Sequence, residues 1–197
     1  MPLSLRHLAL VLSIGMQATL CWAERTGPVV VGQTFMAGGL EPACDCSDPW
    51  ALTSHGISEK LFTVDKDGNV VGQVAQSAVK VSEFVWDVTL KSGYKFSDGT
   101  PVTAALVATC LTELNTVSSA AQSSLETMTV TAPDALTVRI QSTRATHVMD
   151  AVLAEWVFVV YVKDGSNVYY TGPYMVVSGG FTEFALIAES ITHHVGL

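Results

Sequence analysis

The chain has 197 residues, a formal net charge of −8, and 10 Lys and Arg against 18 Asp and Glu. That balance argues against nucleic acid and anionic membrane surfaces as partners, because both need clustered cationic side chains. Hydrophobic residues make up 49% of a length that suits one domain, so a core can be buried without a disulfide scaffold.

The N-terminus reads as a leader. Arg6 and His7 form a short basic start, and Leu8 to Leu20 is an apolar run broken by Ser13, Gly15 and Gln17. Cys21-Trp22-Ala23 sets small residues where a signal peptidase reads. Residues 1–23 are therefore expected to be a signal peptide, and cleavage leaves 24–197, 174 residues with a charge near −9. The apolar run is shorter than the ~20 residues a spanning helix needs, so no membrane span is expected after cleavage. Cys21 raises lipidation as an alternative, but Leu20 stands where a small residue should precede the lipidated cysteine.

Val29 to Phe35 is β-branched and apolar, a first strand, and Gly38 to Pro42 turns the chain out of it. Ala51 to Phe62 is predicted helical, with Leu52, Ile57 and Leu61 on one side. Asp65 to Asn69 is a turn. Phe84, Trp86, Val88 and Leu90 alternate with Val85, Asp87 and Thr89, which gives a strand with one apolar face. Ser97-Asp98-Gly99 is turn chemistry, and Thr103 stands at the N-cap of a helix running to Asn115. Ser118 to Ser124 is a loop or the start of a short helix. Met128–Ala132 and Leu136–Ser142 flank Pro133-Asp134 as a hairpin, and Thr146–Ala154 is a short helix. Val157–Val162, Tyr174–Val177 and Phe184–Ile187 complete the strands. The mixture predicts an α+β, or mixed α/β, fold around one central sheet.

The expected mature cysteines are Cys44, Cys46 and Cys110. Cys44 and Cys46 read as too close for an easy mutual bridge, and either could pair with Cys110 only if the fold brings them near. Cys110 shares the apolar side of its helix with Leu106, Leu111 and Leu114 and reads as a small buried hydrophobe. Cys44-Asp45-Cys46 with His55 and His193-His194 offers metal-ligand chemistry, but the second paired motif of a structural zinc site is missing, so no metal is expected. Asp65, Asp67 and Asn69 open like a calcium loop, yet Val70 replaces the glycine and Gln76 the closing Glu. His147 falls in a predicted helix and reads as structural. No nucleophile, zinc-protease, phosphate-loop or dinucleotide motif occurs, so neither enzyme activity nor a cofactor is expected.

The segment Phe84–Val107, FVWDVTLKSGYKFSDGTPVTAALV, resembles the signature of the family 5 extracellular solute-binding proteins, the peptide- and nickel-binding receptors of ABC importers. Leu40-Glu41-Pro42, Glu59-Lys60-Leu61-Phe62, Val74-Ala75-Gln76-Ser77, Ala132-Pro133-Asp134 and Tyr170-Thr171-Gly172-Pro173-Tyr174 resemble further family landmarks, in family order. Tyr170 departs from the glycine usual there. The resemblance implies the first lobe of a type II periplasmic-binding-protein-like fold. Because a family member continues through a second lobe, it also implies a truncated chain without that lobe. It further implies that the loop ending at Pro49 and the first turns of the next helix face the interlobe cleft. Trp50, Thr53 and His55, with Trp156 and Tyr174, are then the ligand-binding residues. The implied ligand is a peptide or a nickel or metal chelate, the implied partner an ABC permease, and the implied location periplasmic or extracellular. Two rivals stand beside this reading: a secreted interaction module that keeps the fold without transport, and a secreted metalloprotein built on the Cys44–Cys46 loop.

Overall fold

The computed structural model describes residues 39–179 and 184–188. The expected leader, the strand Val29–Phe35 and His193-His194 lie outside them. The fold is a mixture of helices and sheets, α+β as expected, but the described strands do not form a single sheet. Its centre is a four-stranded sheet in the order β3-β4-β6-β5, built from β3 (Ala75–Lys80), β4 (Val85–Leu90), β5 (Met128–Thr131) and β6 (Thr137–Ser142). Neighbouring strands all run antiparallel. Among the described residues there are also three two-stranded hairpins: β1 (Phe62–Val64) with β2 (Val70–Gly72), β7 (Tyr161–Asp164) with β8 (Asn167–Tyr170), and β9 (Tyr174–Gly179) with β10 (Phe184–Ala188).

The sheet forms because its sequence alternates. Trp86, Val88 and Leu90 point one way from β4 and are buried, and Val138, Ile140 and Ser142 do so from β6. Trp86 stands opposite Ile140 and Val88 opposite Val138, so the apolar pairs stack on one face. The opposite face carries Asp87 and Arg139, joined by two hydrogen bonds of 2.7 Å. Phe84, expected on the apolar face, is 41% exposed, because β4 begins at Val85 and the alternation ends with it.

Helix α2 (Ala104–Val117), the second after α1 (Asp48–Ser54), covers the buried face, packing on β5, β6 and β7. Thr103 caps it as predicted: its hydroxyl accepts from Leu106 N at 3.4 Å. The buried positions Ala104, Val107, Ala108, Cys110, Leu111 and Leu114 recur at helical spacing. Cys110 is free and buried, and donates to Val159 O at 3.2 Å. Burial pushes its thiol up to about 12. Before α2, the predicted tight turn is present. Asp98 Oδ1 accepts from Thr100 N at 2.9 Å, and Gly99 holds φ at 88°. Asp65 makes a similar turn between β1 and β2, accepting from the amides of Asp67 and Asn69, which supports a solvated turn over a calcium loop.

Several element boundaries differ from the expectation. Helix α1 covers Asp48–Ser54 rather than Ala51–Phe62. Gly56 at φ 69° turns the chain, and the amides of Ile57 and Ser58 both donate to Leu52 O, which stops the helix. Leu52, Ile57 and Leu61 are nonetheless all buried, so the apolar pattern was real and the helical period was not. Ser119–Leu125 forms α3, capped by Ser118, whose hydroxyl accepts from Ala121 N. Helix α4 is only Met149–Val152, which leaves His147 outside any helix and exposed, 3.2 Å from Lys80 Nζ. The apolar run Val157–Val162 enters β7 only at Tyr161, after Val159 makes a lone bridge with Lys60.

The cysteine expectation is corrected. Cys44 and Cys46 form a disulfide with their Cα atoms 5.3 Å apart. That spacing is ordinary for a bridge. The intervening Asp45 is held at the start of α3, where its Oδ1 accepts from Ser119 N at 3.0 Å and Ser119 Oγ at 2.7 Å.

Candidate functional site

Trp50, Thr53 and Trp156 line one open groove of ≈ 420 Å³. Ser54, Ser58, Lys60, Thr63, Gln73 and Glu155 complete its polar lining. Helix α1 supplies one wall, the turn after α4 supplies Glu155 and Trp156, and the start of β1 with Gln73 after β2 supplies the floor. Pro49 in the first turn of α1 fits a position that needs no amide donor. Asp48 is buried and fixes the preceding loop, accepting from Gly39 N at 3.1 Å and Glu41 N at 3.2 Å. These contacts set where α1 begins, and so where Trp50 points.

Both indoles are 39% exposed, unusual for tryptophans beside a formed core. Thr53 Oγ1 shares its hydrogen between the Pro49 and Trp50 carbonyls, so its donor is already engaged within α1. Lys60 Nζ donates to Ala154 O at 2.7 Å, which ties the groove floor to the opposite wall. Burial holds its ammonium below the usual lysine value. Glu155 Oε2 accepts from Ser124 Oγ at 2.7 Å and is exposed. Gln73 Oε1 accepts from Lys60 N at 3.0 Å. A groove lined by two indoles, an ammonium and a carboxylate can take a ligand with an apolar body and ends of either charge.

His55 and Tyr174 do not join this lining. His55 Nδ1 lies 2.6 Å from Ala51 O, a carbonyl that can only accept, so that nitrogen carries the hydrogen. The His55 ring meets Trp50 edge-on at 6.5 Å between centroids. Tyr174 is 43% exposed and packs its ring on Gly56, where an added Cβ would come within 3.0 Å of Cδ2. Sequence reasoning missed Lys60, Gln73 and Glu155. Lys60 was visible only as part of a landmark, while Gln73 and Glu155 carry no pattern that marks them.

A second groove of ≈ 460 Å³ follows the outer face of α2 and is chemically duller. The hydroxyls of Thr109, Thr112 and Thr116 all donate back into the helix. Its one carboxylate, Glu113, is already bound by Tyr161 OH at 2.8 Å and Lys163 Nζ at 2.6 Å.

The family model of bacterial extracellular solute-binding proteins, family 5 Middle, matches residues 69–183. No curated protein matches the chain. Among solved structures, the chain is similar to the nickel ABC transporter from Bacillus halodurans, with 19% identity and a TM-score of 0.71 over 78% of this chain and 33% of that one. It is similar to NikA from Staphylococcus aureus in complex with Ni(L-His)2, with 23% identity and a TM-score of 0.63 over 68% of this chain and 30% of that one. It is also similar to the Escherichia coli murein tripeptide binding protein MppA, with 22% identity and a TM-score of 0.64 over 78% and 36%. The chain thus spans about a third of the length of the structures it matches. Among the described residues, no helix is long and apolar enough to cross a membrane.

Proposed function

The chain belongs to the family 5 bacterial extracellular solute-binding proteins, and from that premise we propose that it is a substrate-binding component of an ABC importer for peptides or nickel chelates. The role proposed is binding and delivery, not catalysis, in the periplasm or outside the cell, with a membrane permease as the receiving partner. The observation that carries the proposal is the groove itself: Trp50, Thr53 and Trp156, chosen from the sequence as ligand-facing, line one cavity. Two half-exposed indoles give contact area to peptide side chains or to the organic shell of a chelate. Lys60 and Glu155 offer a partner to each end of a zwitterion.

Calorimetry with a peptide library and with Ni²⁺ chelates tests this reading. The described residues supply one wall system, so binding no tighter than roughly 10 μM, near −7 kcal/mol, is expected. Trp50→Ala and Trp156→Ala should each weaken it. Binding that neither variant changes would remove the groove from the proposal. Submicromolar binding would favour a self-sufficient binding module instead.

A further inference from the structure

The Cys44–Cys46 loop holds a group of ligands that the groove does not use. The sulfurs of Cys44 and Cys46 and a carboxylate oxygen of Asp48 all lie within 4.8 Å of one another. Cys46 is exposed, Cys44 is half-buried and Asp48 is buried. A bridge between residues two apart closes a very short loop. Such a cross-link restricts the unfolded chain far less than one spanning a long loop, so fold stabilisation explains this pair poorly.

The loop is also held without the bridge. Asp45, between the cysteines, is bonded to the amide and hydroxyl of Ser119. Asp48, just after them, is bonded to the amides of Gly39 and Glu41. Breaking the sulfur–sulfur bond leaves these four contacts in place, so the released thiols stay close together beside the carboxylate. Each Asp48 oxygen accepts one amide and keeps a lone pair for another partner.

We propose that the loop is a redox-gated site for a thiophilic divalent cation of the Zn²⁺ type, held by Cys44, Cys46 and Asp48 when the disulfide is reduced. Thiolate and carboxylate donors together suit such a cation, and three protein ligands leave a fourth position for water or another group. A dithiol reductant supplies the electrons. Its thiolate attacks the exposed Cys46 sulfur, the bond to Cys44 breaks, and Cys44 leaves as thiolate. The reductant's second thiolate then displaces Cys46 and closes the reductant's own disulfide. Cation binding takes both cysteines as thiolates and releases their protons. Oxidation reverses the gate, because bridged sulfurs are no longer thiolates.

Cobalt titration of the full chain tests this, read by the thiolate-to-cobalt charge-transfer band and by displacement with Zn²⁺ in a calorimeter. The oxidised chain should give no band. The chain reduced with a phosphine, then freed of it under anaerobic conditions, should give a stoichiometric band that Zn²⁺ abolishes. Cys21→Ser and Cys110→Ser should keep the band, and Cys46→Ser should lose it. Asp48→Asn should keep the band and weaken Zn²⁺ binding. The proposal is overturned by a band that survives in Cys44→Ser/Cys46→Ser. It is equally overturned by no band in a reduced chain whose circular dichroism is native and whose thiols titrate as free. Undiminished Zn²⁺ affinity in Asp48→Asn overturns the three-ligand site. Because the probe is the metal alone, none of these outcomes depends on the groove binding a solute.

Discussion

The central sheet with α2 and the groove with α1 are built by different means. In the sheet, apolar alternation on β4 and β6 and the helical repeat on α2 bury whole side chains such as Val88, Val138, Leu111 and Leu114. The groove region has a seven-residue helix, a four-residue helix and three-residue strands. Beside scattered backbone bonds, single side-chain-to-backbone bonds help tie it together: Lys60 Nζ to Ala154 O, Ser58 Oγ to Val160 O, and the Glu59 amide to Thr171 Oγ1. Regular repetition gives a rigid scaffold. Irregular chain held by individual polar bonds can leave tryptophans exposed and cations half-buried, which is what a recognition surface needs.

The contrast can be broken from either side. The largest effect is expected in the scaffold. Leu111→Ala should cost about 2–5 kcal/mol through transfer and cavity terms, measured by urea unfolding. A smaller loss would mean that α2 collapses onto the sheet more readily than its packing implies.

Two glycines come next, for opposite reasons. Gly99 has open space around it but φ at 88°, so Gly99→Val should cost on the order of 1–3 kcal/mol through backbone strain alone. Gly172 lies where an added Cβ would fall 2.2 Å from Gly56 O and 2.5 Å from the Ile57 backbone. Gly172→Ala should cost a similar ~1–3 kcal/mol by forcing backbone apart. Thermal unfolding reads both. Gly172→Ala should also disturb ligand binding, because Gly56 and Ile57 end the helix that carries Trp50.

A pH experiment sharpens the same comparison. Asp87 on the sheet is held below its usual value by its hydrogen bonds to Arg139. Its contribution is present above the unfolded carboxylate pKa and lost as pH falls through the folded one. Glu59, beside the groove floor, is pushed up by burial, against the opposing hydrogen bonds of Tyr94 and Gln73 and the charge of Lys91. Among the described residues its buried Oε2 has no hydrogen-bond partner. The folded state therefore holds the Glu59 proton more tightly than the unfolded chain does, and stability declines as pH rises from the unfolded value through the folded one. Asp87→Asn should destabilise at neutral pH and lose its effect in acid. Glu59→Gln should stabilise at neutral pH and converge with the parent in acid. Unfolding midpoints across pH that move together in both variants would remove the distinction. The smallest effect is expected at Trp50→Ala and Trp156→Ala, whose exposure should keep stability changes within about 0.5 kcal/mol while binding falls.

What could be read in advance follows the same division. The strand Phe84–Leu90, the turn at Gly99, the Thr103 cap and the β5–β6 hairpin all repeat a local rule often enough to be recognised. Family membership rested on the same stretch. The groove was half legible. Trp50, Thr53 and Trp156, named through the resemblance, line it, while His55 and Tyr174 do not. Lys60, Gln73 and Glu155 were not named, because their positions depend on bonds to residues far along the chain. The expected helix Ala51–Phe62 gives way to Asp48–Ser54 because one glycine at positive φ outweighs an apolar pattern. The Cys44–Cys46 bridge is not legible in the sequence, because a separation of two residues does not by itself give the Cα distance. The path of the chain around Asp45 leaves the two Cα atoms 5.3 Å apart.

The stitching of Gly56–Lys60 to residues near 160 and 172 has a consequence for the order of assembly. Val160 N donates to Glu59 O, Gly172 N to Ile57 O and Tyr174 N to Gly56 O, each across more than a hundred residues. Contacts so distant in sequence must overcome loop-closure entropy before they give anything back. The sheet and α2 can gather from nearer neighbours first. The exit of α1 cannot be fixed until Tyr174 has been made and brought back to it. A nascent chain would therefore carry a formed scaffold and an unformed groove, and the groove would be the last part of the molecule to take shape.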